Sequence, residues 1–340
     1  MKIRLFIGKL LLFSIPFLII LLIYFYLDPF KVVKHYDSYY QSGLPNYISL
    51  NKDYISTENW VNHYSQYQYD SYIFGNSRSM FYKIGTWKRY IGADSQQCYH
   101  FDASGESLYG IAKKISFLAA HHARIKNALF VIDEALLHKA DNSAGHLFLK
   151  DPRLSGESSI GFQVESLKDF LDFNFLRAFL DFKISGKVKD YMQKEFLLDE
   201  RPFYYDKVTN EMRLDHYEEM IIRDPASYYG PRQALFFQRD TSIQKYAVPM
   251  IGKQQMVLLD SIRNVLKKEQ TNYKFVISPL YDQRKLNPAD LQTLKDLFGE
   301  GNIFDFSGIN TFTRDINNYY ETSHYRPHIA DSIMKTVYVH

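Results

Sequence analysis

Cysteine is almost absent from this 340-residue chain, with Cys98 alone. No intramolecular disulfide can form, and a metal site built on cysteine is excluded. Charge of one sign is scarce too: 41 Lys and Arg stand against 38 Asp and Glu, a net +3. Nothing electrostatic therefore calls for a nucleic-acid partner. The chain has no Gly-Lys-Ser/Thr phosphate loop, no His-Glu-x-x-His pair and no Gly-x-Ser-x-Gly elbow. Those absences count against nucleotide-cradling, zinc-peptidase and lipase-type chemistry. There is no internal repeat and no low-complexity tract, and no cofactor is implied.

Long apolar runs are also rare, and the one present carries information. Residues 10–27, from Leu10 to Leu27, contain no charge. A run of about 18 apolar residues can cross a bilayer as one helix, and Pro16 is tolerable there. Tyr24 and Tyr26 stand at the distal end, where an aromatic belt belongs. Lys2, Arg4 and Lys9 precede the run, which predicts a cytoplasmic N-terminus and an extracytoplasmic remainder. The alternative is a cleaved signal peptide, but no small-x-small signal follows, so an uncleaved anchor over 1–28 is expected. Tyrosine and phenylalanine are frequent, 28 and 26 residues, which suits strands and interfaces without pointing to a function.

Residues 29–69 are polar and aromatic with little periodicity, and read as a juxtamembrane connector. From residue 70 the chain alternates strand and helix signals. Strands are expected at 70–74, 97–103 and 126–133, with helices around 78–90 and 106–122; Leu108, Ile111, Ile115 and Leu118 share one face of the second helix. Residues 140–250 break the alternation with a loop at 142–161, one or two helices over 163–197 and a hairpin around 204–214. It then resumes with a helix at 253–269, a strand at 272–278, a helix at 287–298, a strand at 302–306 and a helix at 325–336. This order predicts an α/β domain over 70–340, a three-layer sandwich around a mostly parallel sheet, with an insert at about 140–250. Ligands in such sheets bind at the carboxyl ends of the strands. Ser77, Gly105, Asp133, Pro279 and the loop after Asp305 all follow predicted strand ends, so they converge on one rim.

Two distant segments hold the residue types of acyl transfer. Asp70-Ser-Tyr-Ile-Phe-Gly75-Asn76-Ser77-Arg78-Ser79 reads as a strand entering a tight turn that presents a serine. Glu321-Thr-Ser-His324 offers an imidazole and a carboxylate to orient it. A nucleophile, a base and an orienting acid are the minimum for a covalent serine intermediate. A helix opening behind Ser77 would lend its dipole and an N–H to an oxyanion. The bland alternatives are a serine helix cap and a surface histidine. Gly105, in Asp102-Ala-Ser-Gly105, can bring an unobstructed N–H to a ligand or serve as a turn. Arg78 can stabilise an oxyanion, bind an anionic polysaccharide or pair with Asp133; the pairing is the reading preferred. Two ligands in Glu321 and His324 are too few for a metal, and His121 and His122 point to different helix faces.

These segments resemble the SGNH (GDSL-like) hydrolase superfamily, and more narrowly its membrane-anchored extracytoplasmic branch, which includes alginate O-acetylation and teichoic-acid D-alanylation proteins. Gly75-Asn76-Ser77 is similar to the nucleophile block, with Arg78-Ser79 following as in many anchored members. Gly105 resembles the second-block glycine. Glu321-Thr-Ser-His324 resembles the final Asp-x-x-His, with Glu in place of Asp. Where the third block usually supplies an Asn to the oxyanion hole, this chain has Asp133-Glu134. A carboxylate there cannot donate unless protonated and would repel an oxyanion.

The resemblance implies an extracytoplasmic serine esterase or O-acyltransferase acting on a cell-surface or exported glycan. Ser77, His324 and Glu321 would be catalytic. Ser77 and Gly105 would give oxyanion N–H groups, with Arg78 and Asp133 beside them. It also implies an acyl donor, with a multi-pass membrane acyltransferase as partner. The competing expectation is a non-catalytic, membrane-tethered binding or assembly protein that keeps the fold; Asp133 and the Glu321 that stands in place of Asp favour it.

Overall fold

The computed structural model of the chain describes residues 2–193 and 198–339. Among the described residues, α1 (Lys2–Leu27) is the one helix long and apolar enough to cross a membrane, and only 6 % of its apolar stretch is buried. After it come α2 (Lys52–Tyr67), β1 (Ser71–Gly75), α3 (Ile84–Ile91), β2 (Cys98–His100), α4 (Leu108–Ala120), β3 (Asn127–Ile132) and α5 (Glu134–His138). The interrupting region holds α6 (Pro152–Ser155), α7 (Ser159–Phe170), α8 (Phe173–Ser185), α9 (Asp190–Gln193), a hairpin of β4 (Tyr204–Asp206) and β5 (Glu211–Arg213), α10 (Asp215–Arg223), α11 (Pro225–Tyr229) and β6 (Lys245–Tyr246). The alternation returns with α12 (Lys253–Lys268), β7 (Asn272–Ile277), β8 (Arg284–Lys285), α13 (Pro288–Phe298) and β9 (Ile303–Asp305). Then follow α14 (Thr311–Arg314), a hairpin of β10 (Tyr319–Glu321) and β11 (His324–Tyr325), and α15 (Pro327–Tyr338).

The central sheet has five strands in the order β2-β1-β3-β7-β9, and every neighbouring pair is parallel. Ser71 stands beside Cys98 on one side and Asn127 on the other, and Asn127 beside Asn272. Alternate residues serve the two faces. Tyr72, Phe74, Phe130 and Phe275 join one apolar cluster with α4, α12 and α13, while Ile73, Leu129, Val131 and Val276 join a second with α3 and α15. Phe74 stacks on Phe130 at 5.1 Å, and Phe130 on Phe275 at 4.3 Å, a ring ladder across three strands. Each such buried side chain is worth roughly 1.5–3 kcal/mol. Strands covered on both faces have little need of polar residues, which is why they read as apolar runs.

The expected connector over 29–69 holds a 16-residue helix, α2, that packs into the body of the domain: Trp60 belongs to the first apolar cluster. Its signal was hidden because several of its inward residues are polar. Lys52, Asp53, Ser56, Thr57 and Asn59 are all buried. Asp53 and Glu106 face Lys114 and Lys150 in a buried set of four charges. Lys114 Nζ lies 3.0 Å from Asp53 and 2.6 Å from Glu106; Lys150 Nζ lies 3.1 Å and 2.5 Å from the same two. Two cations balance two anions, so each desolvated charge has its partner. Gly110 makes room for the set: a Cβ there would fall 2.1 Å from Glu106 Oε1.

Other boundaries differ in detail. The stretch expected as a loop, 142–161, contains α6 and the start of α7. The stretch over 163–197, expected to hold one or two helices, divides at Asp172, which caps α8 by accepting from the Asn174 and Phe175 N–H groups. Its last four residues, 194–197, lie outside the described residues.

Candidate functional site

β1 ends at Gly75, where only glycine fits: a Cβ would lie 2.5 Å from the Val131 carbonyl oxygen of neighbouring β3. The chain then turns into a 3-10 turn, Ser77–Phe81, rather than the α-helix expected from 78. Asn76 starts it. Its side chain accepts from the Arg78 N–H at 3.1 Å and its carbonyl from the Ser79 N–H at 2.9 Å. The cap is therefore Asn76 and not Ser77, and Ser77 is left half-exposed at the sheet rim. A five-residue 3-10 turn carries little of the dipole that the longer helix was expected to supply.

The candidate base and acid come from the β10–β11 hairpin, where Glu321 and His324 stand directly opposite each other across a two-residue turn. The hairpin is fastened to the carboxyl end of β7. Tyr319 Oη donates to the Pro279 carbonyl at 3.0 Å, and Tyr325 Oη lies 3.3 Å from Ser278 Oγ. This puts His324 over the Ser77 turn. His324 Nε2 lies 2.7 Å from Ser77 Oγ, and His324 Nδ1 bonds Glu321 Oε1. With Nδ1–H donated to the carboxylate, Nε2 is left as the acceptor for the serine proton. Glu321 also accepts the Ser323 N–H at 2.8 Å. Burial alone would raise the Glu321 carboxyl, but the hydrogen bond and charge of His324, the Ser323 N–H and the Arg78 charge outweigh it and hold it below its ordinary value. Phe81 meets the imidazole edge-on at 5.9 Å.

Arg78 links three segments. Its Nη1 donates to Asp133 Oδ2 at 2.8 Å, and its Nε donates to the Ser323 carbonyl at 2.9 Å. Asn76 Nδ2 donates to the same Asp133 oxygen at 2.5 Å, while Asp133 Oδ1 caps α5 by accepting from Leu136 N–H at 3.0 Å. The expectation that Asp133 would repel an oxyanion thus meets a different arrangement: both its oxygens are occupied, and its charge is paired with Arg78. Gly105 lies in the turn between β2 and α4 with φ of +59°, and a Cβ there would come within 3.0 Å of the Phe148 ring. The Ala103 N–H donates to the Gly75 carbonyl at 3.2 Å, which ties this loop to the Ser77 turn.

Sequence reasoning missed a second cluster two residues away. Ser79, fully buried, donates to Asp102 Oδ2 at 2.9 Å; His100 Nδ1 lies 3.5 Å from the same oxygen, and Lys52 Nζ 3.0 Å from Asp102 Oδ1. Burial opposes ionisation of Asp102, yet Lys52 and His100 hold its carboxyl far below the ordinary range. No spacing rule could have found it, because Lys52 lies in the segment read as a connector. Among the described residues, no group of three His, Cys, Asp or Glu is placed to hold a metal ion. No protein-family model, curated protein or solved structure matches the chain.

Proposed function

We propose that the chain is a membrane-anchored serine esterase or O-acyltransferase of the SGNH type, acting outside the cytoplasm on a cell-surface or exported glycan. The observation that carries this reading is the hydrogen-bonded series Ser77–His324–Glu321, half-exposed at the carboxyl rim of a parallel sheet. The apolar clusters on both faces of that sheet accord with a three-layer sandwich. Of the two residues that favour a non-catalytic protein, Asp133 is paired with Arg78 and Glu321 bonds His324 Nδ1.

Ser77 Oγ attacks the acyl carbonyl carbon as His324 Nε2 takes its proton. Glu321 orients the ring and stabilises the imidazolium. The carbonyl oxygen becomes an oxyanion. Asn76 takes up the Arg78 and Ser79 N–H groups, so the Ser77 N–H is the turn's leading donor, with the Gly105 N–H as the second. Each such donor contributes roughly 3 kcal/mol to the transition state. Collapse expels the alcohol or carrier, which takes the proton from His324, and leaves acyl-Ser77. A sugar hydroxyl or water then gives its proton to His324 and attacks the ester, and His324 returns that proton to the departing Ser77 Oγ. Transfer rather than hydrolysis requires the acyl-enzyme to be shielded from water. The cations Lys2, Arg4 and Lys9 at the start of α1 support an extracytoplasmic domain by the positive-inside rule. A multi-pass membrane acyltransferase is the partner that would deliver the acyl group.

The test is turnover of the full chain in lipid nanodiscs on an aryl acetate and on an O-acetylated polysaccharide, with acetate release and acetyl transfer both measured. Wild-type turnover that vanishes in Ser77→Ala is expected. Equal rates in the two proteins would remove the reading.

A further inference from the structure

We infer that the α7–α8 pair lies in the surface of the same bilayer that α1 crosses, with its outward face immersed in lipid; this rests on reading α1 as the membrane helix. Two observations carry it. The first is that each helix exposes large apolar side chains opposite its inward apolar side, interspersed with the exposed cations Lys168 and Arg177, where a domain-surface helix normally has one apolar stripe. In α7, Phe162, Ser166 and Phe170 face inward at four-residue spacing, yet Ile160 and Val164 on the opposite side are 76 % and 58 % exposed. In α8, Phe175 and Phe179 face inward, while Phe173 and Ile184 are 74 % and 87 % exposed.

The second observation is depth. The inward faces of both helices pack on the distal end of α1: Ile20, Ile23 and Tyr24 share one apolar cluster with Phe162, Phe170, Phe175 and Phe179. The Tyr24 ring lies 5.2 Å from that of Phe170, and Phe30, just past the helix, 5.0 Å from that of Phe175. Ile20 stands seven residues before Leu27, the end of the apolar stretch. At 1.5 Å per residue this is about 10 Å inside the span. Helices that grip α1 at that level sit at the depth of interfacial amphipathic helices, which sink roughly 5–10 Å into the headgroup and acyl boundary. Ile160, Val164, Phe173 and Ile184 then meet acyl chains while Lys168 and Arg177 reach the headgroups, and the domain rests on the membrane through this pair as well as its tether.

The test uses the full chain in nanodiscs with single cysteines introduced at Ile160, Val164, Phe173 and Ile184, each carrying a nitroxide; Cys98 is buried and does not compete. Collision with oxygen, which partitions into lipid, is compared with collision with a water-soluble nickel chelate. Phe13 in α1 is the lipid reference, and exposed Lys335 in α15 the water reference. The expected result is an oxygen-to-nickel ratio at the four positions that matches Phe13 and exceeds Lys335 several-fold. A ratio like that of Lys335 at the four positions, with Phe13 still in lipid, overturns this inference and leaves the anchor standing. Protection from both reagents also overturns it, in favour of a covering protein surface. A Phe13 label in water removes the anchor reading itself.

Discussion

Ser77 and Ser79 stand two residues apart on one turn, each beside an imidazole and a carboxylate, but in opposite order. In the Ser77 set the imidazole is in the middle: Ser77 to His324 to Glu321. In the Ser79 set the carboxylate is in the middle, with Ser79 donating to Asp102 and His100 approaching the same oxygen from beyond. An imidazole in the middle can take the serine proton and return it. Asp102, held strongly acidic beside Lys52, is too weak a base to activate a hydroxyl, and water does not reach it. The same three side-chain types thus give a candidate nucleophile in one place and a structural pin in the other. Their order and exposure decide which, not their presence.

The comparison is broken most severely at the first set. Ser77→Ala or His324→Ala is expected to lower turnover about 10⁴-fold or more, measured as ester hydrolysis. Ser79→Ala should leave turnover largely intact in the folded fraction. Glu321→Gln removes the charge that orients His324 and should lower turnover about 10³–10⁴-fold, with little further loss when combined with Ser77→Ala.

The second set should answer in stability. Lys52→Met strands the buried Asp102 charge, and should cost about 3–5 kcal/mol in chemical denaturation. Ser79→Ala leaves one Asp102 hydrogen bond unmade, a loss of about 1–3 kcal/mol by the same measurement. The pH dependence follows from the same carboxylate. The folded state depresses Asp102 below its ordinary 3.8, so its stabilisation is fully present above that value and fades as pH falls through and below it. Melting temperature should therefore drop as pH is lowered past about 4, and less steeply in Lys52→Met. An equal slope in both proteins would contradict the pairing.

What was legible in the sequence follows one physical line. β1, β3 and β7 could be read because strands covered on both faces are continuous apolar runs. Ser77, Glu321 and His324 could be read because their chemistry is local to short segments next to strand ends. α2 could not, since Lys52, Asp53 and Asn59 turn inward toward partners far along the chain: Asp102, Lys114 and Lys150, and Asn210. The Arg78–Asp133 pair was legible, but the same distance hid the share that Asn76 takes in that carboxylate. The turn after Ser77 was misjudged for a nearer reason: Lys83 is extended, with ψ of 130°, and delays α3 to Ile84.

The most direct measurement is covalent labelling of the folded wild-type chain, Ser77→Ala and Ser79→Ala with a fluorophosphonate, with the modified peptide mapped by mass spectrometry. The account predicts labelling at Ser77 in the wild type and in Ser79→Ala, and none in Ser77→Ala. Folded wild-type protein that takes up no label, or takes it up at another residue, would contradict it.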